Sequence, residues 1–334
     1  MEQLANATPV INETPAVVTR GLCRNFGKVT ALRNVDLDVR PGTVLGLLGP
    51  NGSGKTTLLS ILAGFVSPDS GSFQLMGESD HRAALARTGS LISRPLLWPH
   101  MTCRDNLRCV QAIAGGGSDP DEVERLLAEV GLDGNAAHRK FGQCSTGMKQ
   151  RLGIATALLG SSDLLLLDEP TTGLDPEGMV EMRELVRSLG KTSGRTIIMS
   201  SHLLHEVELT CDHYAIIFRG NLADQGPMTA PETHAAQIQV GTTNNPEAVR
   251  VLEANGWTIL GGPTPSEAPG AVPDTVMVAA EAGEEWKISR DLAEKGIYPI
   301  LMRPSDPGKS SAGLEQKYLA AVGRIESPQS GGTS

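Results

Sequence analysis

A glycine-rich segment of the chain carries the residue types that can hold the phosphates of a nucleotide. Residues 49–56 read GPNGSGKT, which completes the pattern G-x-x-x-x-G-K-[ST] between an apolar strand pattern and a helical one. The glycines let backbone N–H groups turn towards an anion, while Lys55 can reach the β and γ phosphates and Thr56 can ligate Mg²⁺. An ordinary glycine turn is the alternative, and the strand-loop-helix context argues against it. We therefore predict nucleotide contacts from Gly49, Pro50, Asn51, Gly52, Ser53, Gly54, Lys55, Thr56 and Thr57.

Two acidic residues and a histidine follow apolar strand patterns further along the chain. Asp168 and Glu169 follow the four leucines of the run LLLLDEP, and His202 follows the run RTIIMSS. Because open α/β sheets bind ligands at the carboxyl ends of their strands, we expect Asp168 to hold Mg²⁺ and Glu169 to activate water as a general base. His202 could contact the γ phosphate from a neighbouring strand. The alternatives are two solvated acids at a turn and a structural histidine.

An alternation of strands and helices positions these residues. Strand patterns at TVLGLLG, LLLLD, RTIIMSS and HYAIIF are separated by helical ones, which predicts an α/β fold with a mostly parallel, helix-covered sheet. Residues 102–160 are mostly helical in pattern and form an expected inserted lobe. We place this domain at residues 17–236, after a flexible segment at 1–16.

The pattern changes after residue 236. The order of elements becomes β-α-β-β-α-β, which predicts a small α+β accessory domain at residues 237–324. Within it, the segment 261–274 contains four prolines and three glycines and is expected to be a mobile loop. We expect a disordered tail at 325–334.

Composition excludes several classes of protein. The chain of 334 residues has 29 basic and 38 acidic side chains, a net charge of −9, so general binding to nucleic acid through phosphate neutralisation is not expected. No apolar stretch approaches the roughly 18 residues needed to span a bilayer, and the N-terminal residues do not resemble a secretory signal. The five cysteines contain no C-x-x-C pair, which argues against a disulfide framework or zinc site and fits a reducing cytosol.

The segment CSTGMKQRLGIATALL, residues 144–159, resembles the signature of the ATP-binding cassette (ABC) transporter family. The other motifs occur in the family's order over residues 17–230: Phe26-Gly27, the phosphate loop, SPDSG, the signature, LLLLDEPTTGLDP and SSHLLHEVE. Ser145 lies 23 residues before Asp168 (168 − 145), and His202 lies 34 residues after it (202 − 168), as in the family. The resemblance implies a P-loop NTPase cassette with an inserted helical lobe.

The resemblance also implies roles for single residues. Phe26 would stack on the adenine of ATP, and His202 would act as the switch histidine. Asp175 would belong to the D-loop, which crosses the interface between two cassettes. The ATP would be bound together with Mg²⁺. The signature residues would contact the ATP that the other cassette holds, and they are Ser145, Thr146, Gly147 and Met148.

Two motifs, the signature and the Q-loop, depart from the family pattern. Cys144 and Thr146 stand where leucine and glycine are usual, although Ser145 and Gly147 are kept. Ser93 stands at the Q-loop position, where the family places a glutamine that contacts the metal and relays motion to the membrane partner. A serine side chain does not reach as far as glutamine.

The wording of the signature and the short C-terminal domain resemble the subset of the family that exports antibiotics and antimicrobial peptides, of bacitracin or lantibiotic type. We therefore expect an ATPase subunit that dimerises, as a homo- or heterodimer, and energises a separate transmembrane permease at the cytoplasmic face of the membrane. One alternative is a soluble ABC-type ATPase that acts on ribosomes or DNA without a permease. Another is a P-loop kinase or GTPase, which would leave the signature unexplained.

Overall fold

The computed structural model describes residues 14–115, 119–160, 162–228, 237–242, 244–264, 275–280, 284–305 and 312–326. Three predicted flexible segments fall largely outside these residues: 1–13 of the N-terminal segment, 265–274 of the loop, and 327–334 of the tail. Where the structure does describe them, two differ from the prediction. Residues 261–264 continue a strand, and residues 325–326 end a helix.

The described chain forms two compact units. The first unit holds the residues up to Met228 together with those from Leu314 onward, and the second unit ends at Gly313. Up to Met228 the elements are β1 (Val17–Phe26), β2 (Val29–Val35), β3 (Asp38–Val39), β4 (Val44–Leu48), α1 (Lys55–Leu62), β5 (Ser70–Leu75), α2 (His81–Ala86), β6 (Thr88–Leu91), α3 (Cys103–Ile113), α4 (Pro120–Glu129), a 3₁₀ turn (Phe141–Gln143), α5 (Thr146–Leu158), β7 (Leu164–Leu167), α6 (Pro176–Ser193), β8 (Thr196–Ser201), α7 (Leu204–Thr210), β9 (His213–Phe218) and β10 (Asn221–Pro227).

A six-stranded sheet runs through the first unit in the order β10-β9-β4-β8-β7-β6. Its strands pair in parallel except for β10, which is antiparallel to β9. The four leucines of β7 and all six residues of β8 are buried, as expected for strands covered on both faces. The predicted α/β class is confirmed, and β4, β7 and β8 end at the same edge of the sheet.

A second, antiparallel sheet and a helical lobe complete this unit. Strand β1 pairs with β2, β3 and β5, and its apolar residues pack with those of α1 and the six-stranded sheet. The lobe contains α3, α4 and α5, whose buried residues form one cluster with α6 and the sheet. None of the helices in the described part of the chain has the length and apolar character that crossing a membrane requires.

The second unit has an antiparallel sheet of four strands with two helices. Its elements are β11 (Gln237–Thr242), α8 (Asn245–Ala254), β12 (Thr258–Thr264), β13 (Thr275–Ala279), α9 (Glu285–Ala293) and β14 (Pro299–Ser305), with strand order β12-β13-β11-β14. Ile238, Val240, Val276 and Val278 pack on Leu252 and Ile288 of the helices. This is the β-α-β-β-α-β order that the sequence predicts.

The last helix is α10 (Ala312–Glu326). The sequence analysis includes residues up to 324 in the accessory domain, whereas the structure groups those from Leu314 onward with the first unit. Leu314 and Ala321 are buried in the cluster that contains the helical lobe and Tyr214 of β9. The Lys317 ammonium lies 4.9 Å from the centre of the Tyr214 ring. From Leu314 onward the helix therefore belongs to the first unit, because its apolar positions are buried there.

Candidate nucleotide-binding site

The predicted phosphate loop joins β4 to α1 at the common strand edge. Gly52 and Gly54 have φ values of 76° and 115°, a region that disfavours residues with a Cβ atom. A Cβ on Gly49 would lie 2.1 Å from the carbonyl oxygen of Ile217 in β9. The loop therefore needs glycine at these positions to keep its curvature and its close contact with the sheet.

Lys55 is the first residue of α1 and is 5% exposed. Its Nζ donates hydrogen bonds to the carbonyl oxygens of Gly49 at 2.7 Å and Pro50 at 3.2 Å, and lies 3.8 Å from Glu169 Oε1. Burial lowers the pKa of Lys55, although the charges of Glu169 and Asp168 oppose that shift. The ammonium group is thus held inside the loop, next to the position where an anion would be bound.

Ser53 carries a polar atom that the described structure leaves without a partner. Its Oγ atom is buried and makes no hydrogen bond, while its backbone N–H donates to Pro50 O at 3.2 Å. An unpaired buried hydroxyl costs about 1–3 kcal/mol, so such a group is expected to find a partner in a working site. A phosphate oxygen in the loop fits that requirement.

Thr56 and Asp168 are in direct contact at the strand edge. The Thr56 hydroxyl donates to Asp168 Oδ2 at 2.9 Å, and Ser200 of β8 donates to Asp168 Oδ1 at 2.6 Å. A hydroxyl, one carboxylate and substrate phosphates are the oxygen ligands that Mg²⁺ commonly takes in nucleotide sites. These residues fit the predicted metal, because a hydroxyl oxygen and a carboxylate oxygen lie 2.9 Å apart beside the loop.

Glu169 follows Asp168 and has an unusual backbone conformation. Its φ is +47°, in the left-handed region that few residues other than glycine adopt, and its amide donates to Ser200 Oγ at 2.9 Å. Thr172 Oγ1 donates to Glu169 Oε2 at 2.8 Å, and His202 Nδ1 lies 3.2 Å from Oε1. Burial acts to raise the pKa of Glu169, but the hydrogen bonds from Thr172 and His202 and the charges of His202 and Lys55 outweigh it, so the pKa is lowered. The carboxylate is held ionised, as a base must be.

The signature residues lie in a different place. Ser145 is the residue before α5, and its hydroxyl accepts a hydrogen bond from Met148 N at 3.2 Å. Asp175 has the same role for α6, where it accepts from Gly178 N at 3.0 Å. Both helix starts line one cavity of about 650 Å³, and no residue of the phosphate loop lines it. The structure therefore brings Ser145, Thr146, Gly147, Met148 and Asp175 together, but apart from Lys55 of the same chain.

Two further predicted residues are Phe26, in the antiparallel sheet, and Ser93, which follows β6. Phe26 ends β1 and is 46% exposed, and the Arg24 guanidinium lies 4.7 Å from the centre of its ring. Asp69 accepts from Arg24 Nη1 at 2.7 Å and from Asn25 N at 2.7 Å. Ser93 is exposed with a φ of +69°, so the chain turns sharply at the Q-loop position.

Sequence reasoning missed two residues that position the acidic pair. Ser200 contacts both Asp168 and Glu169, and Thr172 contacts Glu169. A signal was present, since Ser200 is the last but one residue of β8, two residues before His202, and Thr172 follows Glu169 by three residues. Hydroxyl side chains are too common at such positions for a single sequence to single them out.

Comparison with known proteins gives related chains of stated activity. The profile of the ABC transporter family matches residues 32–172. The bacitracin transport ATP-binding protein BcrA of Bacillus licheniformis is 39% identical over 311 residues, which cover 92% of this chain and 97% of BcrA. The lantibiotic transport ATP-binding protein SrtF of Streptococcus pyogenes is 43% identical over 203 residues, 61% of this chain and 87% of SrtF. Among solved structures, cbiO1 from Clostridium perfringens, part of the ABC transporter complex cbiONQ, is 26% identical with a TM-score of 0.57, covering 64% of this chain and 89% of cbiO1.

Proposed function

This chain belongs to the ABC transporter family as an ATP-binding, ATP-hydrolysing subunit, and on that basis we propose that it powers the export of a peptide antibiotic or a related drug through a separate transmembrane permease. One observation carries the proposal: the similarity to BcrA extends over 92% of the chain and so includes the second unit as well as the cassette. The transport activity in the names of BcrA and SrtF favours this function over an ATPase that acts on ribosomes or DNA.

The residues around the phosphate loop support the hydrolytic step. Thr56 and Asp168 would hold Mg²⁺, which when bound offsets the charge of the phosphates. Glu169 would accept a proton from the attacking water, and His202 would orient that carboxylate and contact the γ phosphate. Lys55 would exchange its carbonyl partners for phosphate oxygens.

The position of the signature supports a dimer. Ser145 and Gly147 face a cavity lined also by Asp175, whereas Lys55 and Glu169 face the strand edge of the six-stranded sheet. A second chain that presents its own Ser145 would complete the phosphate site, with the backbone N–H groups at the start of α5 facing the γ phosphate. Each ATP would then lie between two cassettes.

A mixing experiment tests this arrangement. Lys55→Ala chains keep an intact signature, and Ser145→Arg chains keep an intact phosphate loop, so each variant alone should be inactive. If a site needs residues from both chains, a mixture contains dimers with one complete site and should regain ATP hydrolysis. If each chain is sufficient alone, mixing restores nothing. The double variant Lys55→Ala/Ser145→Arg, mixed with wild type in the same proportion, controls for dilution of the active chains.

The membrane partner and the location at the cytoplasmic face are part of the same proposal. The test is co-expression with a candidate transmembrane permease from the same organism, followed by membrane fractionation and a measurement of resistance to bacitracin and to a lantibiotic. Resistance that requires both proteins and is lost in the Glu169→Gln variant supports the proposal. Resistance that persists with Glu169→Gln contradicts it.

A further inference from the structure

Two buried cysteines lie in contact directly before the signature. The Sγ atoms of Cys103, the first residue of α3, and Cys144, which precedes Ser145, are 3.5 Å apart. Cys103 is completely buried and Cys144 is 6% exposed. The contact spans 41 residues of sequence, and the family resemblance gives it no function, since leucine is usual at the position of Cys144.

We propose that Cys103 and Cys144 form an intrachain disulfide when the protein meets a hydroperoxide, and that this bond reversibly inactivates the signature. The sulfur atoms need to approach by about 1.5 Å to reach the usual bond length of about 2.0 Å. A metal site is a poorer explanation, because no cluster of three or more metal-ligating side chains occurs among the described residues.

The chemistry has a defined order. The thiol of Cys144, the less buried of the two residues, first gives its proton to solvent. The thiolate attacks one oxygen of hydrogen peroxide, the O–O bond breaks, Cys144 becomes a sulfenic acid, and the departing hydroxide takes up that proton as water. Cys103 sulfur then attacks Cys144 sulfur, the S–S bond forms, and the S–O bond breaks with release of a second water that takes the thiol proton. Each sulfur is oxidised by one electron and the peroxide is reduced by two. Burial and the contact with Cys144 raise the pKa of Cys103 to about 12, so this thiol keeps its proton until it attacks.

The backbone around the pair explains why the bond would affect the signature. The amide of Cys103 donates to Arg139 O at 3.0 Å, and that of Phe141 donates to Met101 O at 2.9 Å, so the start of α3 is already bonded to the segment before Cys144. Cys144 Sγ also donates to Lys140 O at 3.4 Å. A disulfide would pull Cys144 towards α3 and displace the adjoining Ser145, whose hydroxyl begins α5.

This effect rests on the proposed role of Ser145 in ATP hydrolysis, whereas formation of the bond does not. A displacement of about 1 Å in a positioned group can reduce a rate by about 10²-fold, so we expect the oxidised protein to lose about tenfold or more of its ATPase activity. A thiol reductant should restore it. Such a transient bond is the form in which disulfides occur in reducing compartments.

The test treats the full chain with hydrogen peroxide, blocks free thiols, and maps peptides by mass. We expect a Cys103–Cys144 link that lacks two hydrogen atoms and an ATPase loss that follows its yield. Cys103→Ala should resist the loss, while Cys109→Ala, a matched change on the same helix, should remain sensitive. Absence of the link under conditions that oxidise Cys109 would overturn the modification site. A fully linked protein with unchanged activity would overturn the inactivation. Absence of hydrolysis in the reduced wild type would instead count against the proposed function.

Discussion

Thr56 donates a hydrogen bond to Asp168 across 2.9 Å, although the two residues follow strands that are not neighbours in the sheet. The order β4-β8-β7 places β8 between them. Leu48 of β4 is level with Ser201 of β8, and Leu167 of β7 is level with Met199, so Ser200 lies between the two strand ends. The Thr56–Asp168 contact is thus supported by the hydroxyl of Ser200.

Ser200→Ala should weaken metal binding. The change removes the donor to Asp168 Oδ1 at 2.6 Å and the acceptor of the Glu169 amide at 2.9 Å, in a fully buried position. Loss of a residue that orients a metal ligand costs about 10- to 100-fold in metal affinity or activity. We expect the Mg²⁺ concentration for half-maximal ATP hydrolysis to rise by about tenfold. Ser201→Ala is the control, because that hydroxyl bonds to the backbone of Leu203. Equal effects of the two changes would refute the role of Ser200.

Glu169→Gln should abolish most turnover and leave ATP binding intact. The amide keeps the size of the side chain but cannot accept a proton, and loss of a general base costs about 10²–10⁴-fold in rate. Single-turnover hydrolysis and equilibrium ATP binding measure the two effects separately. Glu78→Gln, a surface carboxylate paired with Arg87, should change neither. Hydrolysis at the wild-type rate in Glu169→Gln would remove this residue from its proposed role.

As the pH is raised, ATP affinity should begin to fall at a lower pH than it would if Lys55 had the pKa of an ordinary lysine. Burial lowers the pKa of Lys55, so in the free loop the ammonium loses its proton below the usual value of about 10.4. Phosphate binding needs the charged form, and binding at high pH must therefore take up a proton. We expect the ATP Kd to rise in wild type already at pH values below the usual lysine pKa of about 10.4. Lys55→Arg keeps its charge over this range and should show a weaker but flatter profile. If the ATP Kd of wild type and that of Lys55→Arg rise equally with pH, a group other than Lys55 is titrating.

The fold was largely predictable from sequence because its strongest patterns are local. The glycine-rich turn and the apolar strands β4, β7 and β8 each carry their signal within a few positions. The α/β class, the family and the ATPase activity are confirmed. The roles of single site residues remain predictions, although the structure brings Lys55, Thr56, Asp168, Glu169 and His202 together.

What the sequence could not predict depends on contacts between distant segments. Ser200 gains its role from the strand order, which no local pattern specifies. Cys103 and Cys144 meet because the 3₁₀ turn before the signature packs on the start of α3. Helix α10 follows the second unit in sequence, but its apolar residues are buried in the first, a choice that depends on the available surface rather than on helical period.

Leu314→Ala in α10 should destabilise the cassette itself. Leu314 is 4% exposed within the cluster of the first unit, and truncation of a buried leucine costs about 2–5 kcal/mol. Leu319→Ala on the same helix is the control, since Leu319 is 61% exposed and its loss should change stability by about 0.5 kcal/mol or less. Calorimetry with and without ATP identifies the cassette, because ATP raises the Tm of the unit that binds it. If Leu314→Ala lowers only the Tm of a transition that ATP does not shift, α10 is not part of the cassette.

Arg24 should affect ATP binding only through Phe26. Its guanidinium lies 4.7 Å from the ring centre and is held by Asp69, whose pKa is lowered mainly by hydrogen bonds from Asn25, so the carboxylate stays charged. Base stacking on an aromatic ring is worth about 1–3 kcal/mol, so Phe26→Leu should weaken ATP binding by about tenfold. Arg24→Ala should weaken it by a smaller factor because the ring loses its fixed orientation. Arg24→Ala should have no further effect on ATP binding in a chain that already carries Phe26→Leu. The control is Arg20→Ala, which changes an exposed arginine on β1 that is paired with Asp38. This control should not affect ATP binding in either the wild-type or the Phe26→Leu chain. Additive losses from Arg24→Ala and Phe26→Leu would mean that Arg24 acts on the nucleotide by itself.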